Sequence, residues 1–326
     1  MNNIACETES ELFDLSGTFY DAMLSQKVDV SEDLNSAELA LYELISYKLE
    51  QSDELAQFVP LLPEQLTKFL DEVKKEDTDF DKVCAIVKGD IALAGETIRI
   101  ANSPIYRRAA GPIESIDRAI AVLGFQGVTQ IASMLLMKQI LDVESNRFKQ
   151  FGEVLWNHCL ECAEACRLLS TDDDDQFICY LMGLVHDVGK VAMFSCLCQH
   201  LDEHGSEDIN ESKIFKRVMI EHSTWLSATI AKEWDLPNAI VLALYEFDAI
   251  TLVSFLDYDT ADKSALAILL EKANSCSEIH TLIKAKLLKP ETGVELLCGL
   301  GLSKAEIEKI LLHFELSADS TLPAMG

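Results

Sequence analysis

The chain has 326 residues, 49% hydrophobic and 25% charged, with a formal net charge of −28 at pH 7. That composition excludes a disordered chain, a fibre and a small disulfide-stapled scaffold, and the length allows one large domain or two smaller ones. A surface this acidic repels phosphate backbones and anionic lipid heads, so neither nucleic acid nor a membrane is expected as a partner. Ten cysteines with no basic-apolar leader over residues 1–17 read as reduced thiols of a cytoplasmic protein.

Residues 1–59 carry thirteen acidic side chains against Lys27 and Lys48. Within them, Leu12, Leu15, Phe19 and Met23 recur at helical spacing over 11–26. Leu39, Leu41, Leu44, Ile45 and Leu49 do the same over 36–51. This acidic segment is expected to be a helical hairpin on the main body or a partner-binding arm, and to tolerate deletion better than any equal stretch of the body. Further helices are predicted over 65–74, 80–87 and 92–100, where Asn102-Ser103-Pro104 ends the run. Residues 119–137 carry no charge and contain Gly124 and Gly127; they read as two buried helices, 115–123 and 128–141, rather than a membrane span. A long helix over 151–169 precedes the run Asp172–Asp175, and a nearly all-apolar helix follows over 177–185. Helices over 214–234, 239–245, 263–276, 279–288, 292–298 and 304–313 complete the chain, with a tail from Ser317. No period-two alternation occurs, so the expected class is all-α.

Three histidines fall on apolar faces. His158 lies seven, three and four residues from Phe151, Leu155 and Cys162, inside the buried sector of its helix. His186 and Asp187 end the apolar helix just before Gly189, which supplies freedom for the chain to turn. His222 shares a face with Met219 and Leu226. Adjacent residues on a regular helix point ~100° apart, so His186 and Asp187 can reach one ion only at a helix end. Imidazole and carboxylate suit zinc, manganese or iron, which would activate water against a phosphate ester. Cys159, Cys162 and Cys166 also follow the apolar stripe of the long helix, and packing is the simpler reading for them.

Trp156-Asn157-His158, followed by Gly183-Leu184-Val185-His186-Asp187-Val188-Gly189-Lys190, resembles the HD phosphohydrolase superfamily. Ile98-Arg99-Ile100-Ala101-Asn102-Ser103-Pro104-Ile105-Tyr106, the block Ile116, Ala119-Ile120 and Leu123-Gly124, and Trp234-Asp235-Leu236-Pro237 are similar to its bacterial HDOD branch, the HD-related output domain. The likeness runs from about Leu61 to about Asn274. It implies an all-helical HD-like domain over 60–276, preceded by the acidic helical segment 1–59 and followed by a C-terminal helical extension and tail over 277–326.

The resemblance also implies a site. His158, His186 and Asp187 map to its metal ligands, with His222 in a further histidine position. Phe247 and Asp248 stand where the family often has a His-His pair, and Asn274 stands near its closing aspartate. Phenylalanine cannot ligate, and a neutral amide is a poorer ligand than a carboxylate. The expectation is therefore a vestigial metal site, with no confident catalytic residue, in a non-catalytic signal-transduction output module that acts on a signalling protein partner. The alternatives are a metal-dependent phosphohydrolase or phosphodiesterase acting on nucleotides, and a nucleotide-sensing module without turnover that holds phosphate on Arg107 or Arg108.

Overall fold

A computed structural model describes residues 14–51, 59–73, 75, 79–103, 112–141, 147–171, 176–253 and 264–318. Among these residues the only regular elements are helices. The N-terminal part supplies α1 (Leu15–Leu24) and α2 (Ser36–Glu50). A lateral group follows: α3 (Glu64–Val73), α4 (Phe80–Gly89), α5 (Ile91–Ala101) and α6 (Ile116–Leu141). The central body comprises α7 (Phe151–Leu169), α8 (Gln176–Val185), α9 (Val188–His204), α10 (Glu211–Glu233), α11 (Asn238–Val253) and α12 (Ala265–Lys284). Two short helices, α13 (Pro290–Gly299) and α14 (Lys304–Ala318), pack on α12 and α7.

The central body is held by close helix neighbours: α7 against α8 and α12, α9 against α10, and α10 against α11. Two of these seams need glycine because the helices nearly touch. A Cβ on Gly183 would lie 2.7 Å from Ala163 Cα across the α7–α8 seam. One on Gly189 would lie 2.1 Å from the Ser223 carbonyl across α9–α10. Gly189 is not among the residues with positive φ, so its role is close approach rather than the turning freedom expected from sequence. Gly124 does have φ +66°, and it breaks α6 into the two helices expected there.

The sequence reading did not assign a helix to 188–204, where α9 stands. Its small apolar face, Val188, Val191, Leu197 and Leu201, is buried, but Lys190, Cys196 and Cys198 interrupt the pattern. Residues 265–284 form one helix rather than two, because Ser275 and Ser277 are tolerated inside a packed helix; Ser277 Oγ donates to the His158 carbonyl at 3.0 Å. Within the long apolar stretches 116–141 and 176–204, an apolar 18-residue window is 61% and 89% buried respectively, as in core helices of this fold.

The acidic segment is more tightly bound than an appended arm. In α2, Asn35 accepts from the backbone N–H groups of Ala37 and Glu38, and the Glu38 carboxylate accepts from Asn35 N–H, a capping box. Phe19 and Met23 of α1 are fully buried and Tyr20 nearly so, in the same core as α7, α10 and α12. Three cations of α10 hold the segment down. Lys216 Nζ donates to Asp21 Oδ1 at 2.6 Å and to the Val28 carbonyl at 2.9 Å. Lys213 Nζ donates to the Asp33 carbonyl at 2.7 Å, and Arg217 to the Val30 carbonyl at 2.9 Å. This packing argues against the tolerance of deletion expected for 1–59.

Candidate functional site

The fold turns a helix break into a site. α8 ends at Val185, His186 and Asp187 form the turn, and α9 begins at Val188. Asp187 occupies the N-cap position of α9, yet its side chain makes no cap bond. The carboxylate points instead at the side chains around it. His158 approaches from α7: its Nε2 lies 3.1 Å from His186 Nε2 and 3.1 Å from Asp187 Oδ2. All three residues are at most 1% exposed. Their ligand atoms lie within 4.8 Å of one another, so this buried group could hold a metal ion. Asn274 of α12 brings Oδ1 to 3.0 Å from His186 Nε2, at the position where the resemblance seeks a closing carboxylate.

The remaining residues singled out from sequence lie elsewhere. His222 Nε2 is 3.2 Å from Ser46 Oγ of α2, and its ring faces Tyr42; it is not part of the converging group. Asp248 accepts from Thr224 Oγ1 at 2.5 Å, toward α10. Phe247 packs edge-on to His186 at 6.3 Å between ring centroids. Cys159 and Cys162 are fully buried thiols whose pKa burial pushes well up, as expected of packing residues. Arg107 and Arg108 lie outside the described residues.

Sequence reasoning missed the group that most changes the site. Lys190, one turn into α9 and 4% exposed, donates from Nζ to both Asp187 oxygens, at 2.5 and 2.6 Å. Its ammonium also lies over the rings of Phe19 and Tyr20, at 5.7 and 5.3 Å from their centroids. Phe19 in turn covers His158, with 4.6 Å between ring centroids, and Tyr20 Oη is 3.3 Å from Ser223 Oγ. Helix α1 therefore closes the site. The sequence signals for Lys190 were its place at the end of the block from Gly183 that carries the family resemblance and its spacing of three from Asp187, which places both on one helix face.

The charges settle into a closed set. His186 Nδ1 lies 2.7 Å from the Gly183 carbonyl, which only accepts, so that nitrogen carries a proton. Burial alone would lower the His186 pKa; the Asp187 carboxylate reverses this and holds it at about 9. Its second proton then points at Asn274 Oδ1. Burial pushes His158 down to about 4 despite the pull of Asp187, so this ring is neutral and donates from Nε2 to Asp187. Burial would raise the Asp187 pKa, but His186 and Lys190 hold it well below the carboxylate range. Glu278, buried beside Lys190 and Asp187, is pushed up to about 7 by burial.

An ion would need a different arrangement. Both imidazoles would have to present Nε2 lone pairs, which moves the His158 proton to Nδ1. That atom is buried and has no hydrogen-bond partner among the described residues in either tautomer, so the obstacle to an ion is the charge around the site. Lys190 would also have to leave the carboxylate it already neutralises. The donor atoms suit a divalent metal, but the protonation and charge around them do not fit one without rearrangement.

Residues 59–249 match the HDOD domain family. The chain belongs to that family. HDOD proteins are signalling-type relatives of the HD phosphohydrolases, and the chain carries their domain over more than half its length. No curated protein matches it significantly. Among solved structures, a proposed metal-dependent phosphohydrolase from Shewanella amazonensis aligns with TM-score 0.63 at 20% identity, over 88% of this chain and 99% of that one. An HDOD domain protein of unknown function from Geobacter sulfurreducens aligns with TM-score 0.54 at 22% identity, over 87% and 95%. A proposed signal transduction protein from Marinobacter aquaeolei aligns with TM-score 0.54 at 19% identity, over 90% and 67%. At these identities the likeness is one of fold.

Proposed function

We propose that this HDOD protein is a non-catalytic, cytoplasmic signalling output module that acts through contact with a protein partner. The observation that carries the reading is Lys190. Its buried ammonium holds both oxygens of Asp187 at 2.5 and 2.6 Å, and so supplies the positive charge an ion would otherwise bring. Activating water needs a metal held with an open coordination position. Here the equivalent volume is taken by a lysine, and Phe19 and Tyr20 close over it. Among the described residues, the clefts of 730, 320 and 520 Å³ are not lined by His158, His186 or Asp187. With a closed centre, the groups left to transmit a signal are the helical surfaces.

The test offers the chain manganese, zinc or iron in turn, with cyclic mononucleotides, cyclic dinucleotides and a generic phosphodiester as substrates. No metal-dependent release above that of His186→Ala is expected. Turnover that needs the metal and disappears in both His186→Ala and Asp187→Ala would overturn the reading in favour of a phosphohydrolase. That second reading draws on the convergence of His158, His186, Asp187 and Asn274. It requires α1 to lift and Lys190 to swing away, and zinc, manganese or iron to take the place of the ammonium.

A further inference from the structure

A second set of ligand-type atoms stands at the far end of α9, ~20 Å along the helix from Asp187 at 1.5 Å per residue. His200-Leu201-Asp202-Glu203-His204 places two imidazoles at i and i+4, where helical side chains meet on one face. Two histidines at this spacing with an intervening glutamate form one of the helical patterns that bind zinc. The two rings stack with 4.4 Å between centroids and 16° between planes. Imidazole lone pairs lie in the ring plane, so these nearly parallel rings must both turn about their side-chain bonds, as half-buried or exposed side chains can, before two nitrogens meet one ion at ~2.1 Å each. His204 Nδ1 lies 3.1 Å from the His200 carbonyl, which only accepts; the proton sits there, and Nε2 presents its lone pair. Burial, with the neighbouring His204 and Lys48, lowers the His200 pKa and favours the neutral ring that ligates.

The rest of the turn is consistent. Leu201 is buried and fixes which face the histidines occupy. Asp202 is engaged by Arg147 at 2.6 Å and does not compete. Glu203 accepts from Gln199 at 2.9 Å through one oxygen, which leaves the other for an ion. His200, Glu203 and His204 all line the 730 Å³ cleft between α9, α2 and residues 59–61, so an ion there has room for water ligands. Imidazole nitrogens with one carboxylate suit zinc, nickel or copper over magnesium or calcium.

We propose that His200 and His204, with Glu203, bind one first-row divalent ion of this class at the mouth of the α2–α9 cleft, separately from the His158–His186–Asp187 centre. The ion would tie the last turn of α9 at the place where α2 packs. The test uses the full, untagged chain, titrated calorimetrically with zinc chloride, beside His200→Ala, His204→Ala and Glu203→Gln. These residues are exposed or half-buried, and circular dichroism checks that each variant is folded. One zinc per chain is expected in the wild type, with affinity at least ~10-fold weaker in each histidine variant. Zinc should raise Tm in the wild type and not in the His200→Ala/His204→Ala double variant. No saturable binding in the wild type would overturn the proposal. Wild-type binding in the double variant would also overturn it; that result would move the ion to the buried centre and count against the closed-centre reading as well.

Discussion

At the scale of single residues, the closed centre rests on the buried ammonium of Lys190, set beside two histidines and two carboxylates. Replacing Lys190 with methionine leaves Asp187 as a buried carboxylate with only His186 to balance it, and breaking such a pair costs about 3–5 kcal/mol. Urea unfolding of Lys190→Met and of Lys190→Met/Asp187→Asn checks this. The double variant is expected to recover much of the loss; equal stabilities for wild type and Lys190→Met would show that the ammonium is not needed. The centre also makes stability depend on pH. His186 titrates at about 9 in the folded chain against 6.5 unfolded, so its contribution is fully present below 6.5 and is lost as pH rises through 9. Glu278, at about 7 against 4.5, also lowers stability as pH rises, but below 7; His158, at about 4, opposes it below 6.5. The window from pH 7 to 8 therefore belongs to His186, because the buried thiols, whose pKa burial raises from 9, add a fall of the same sign only above it. The urea midpoint should fall across it, and should fall less in His186→Gln; a flat or rising midpoint would contradict a protonated His186. Of this centre, His158, His186, Asp187 and the place of Asn274 were legible from spacing and resemblance. Lys190 was not, because a lysine one turn into a helix ordinarily reads as a solvated residue, and only the tertiary cover of Phe19 and Tyr20 makes it part of the core. Asn102 is the reverse case. It was legible only as a family marker, and the structure gives its physical work: Oδ1 accepts from Ile113 N–H at 2.8 Å while Nδ2 donates to the Ile113 and Ile98 carbonyls.

Among the elements, α1 differs most from its sequence reading. Its periodicity was plain from Leu15, Phe19 and Met23, but periodicity shows which face is buried and not what covers it. Composition left open whether the segment packs on the body as a hairpin or stands out as a partner-binding arm, since thirteen acidic residues suit a solvated surface. Several of those carboxylates and the carbonyls between them are instead the partners of Lys213, Lys216 and Arg217 on α10. Because Phe19 is fully buried against His158, Phe19→Ala is expected to cost about 3–5 kcal/mol in a core of this density. Circular dichroism during urea unfolding measures it. A chain beginning at Pro60 should lose cooperative unfolding altogether; an unchanged transition would restore the view of 1–59 as an appendage. Helix α9 was missed for a related reason. Its buried face is broken by Lys190 and by the half-buried Cys196 and Cys198, and packing of Gly189 on Ser223 and Ser227 makes up what periodicity lacks.

For the whole molecule, the all-helical class followed from 3.6-residue periodicity and the absence of alternation, and Gly124 divided α6 where its left-handed backbone demanded. The HDOD family could be read from motifs because those motifs carry structural duties: Trp234 Nε1 donates to the Pro60 carbonyl at 3.0 Å and ties the two ends of the matched region together. What no local pattern could reveal was that a segment outside that region closes the centre. The claim that the centre is held by the protein's own charges is tested most directly by the histidine-ring proton–nitrogen spectrum at neutral pH, with and without added zinc. One buried ring, His186, should carry protons on both nitrogens; a second, His158, should be neutral with its proton on Nε2; and neither should move when zinc is added, whatever the rings of His200 and His204 do. Unprotonated Nε2 on both buried rings, shifting together on addition of zinc, would contradict the account and make the centre a metal site.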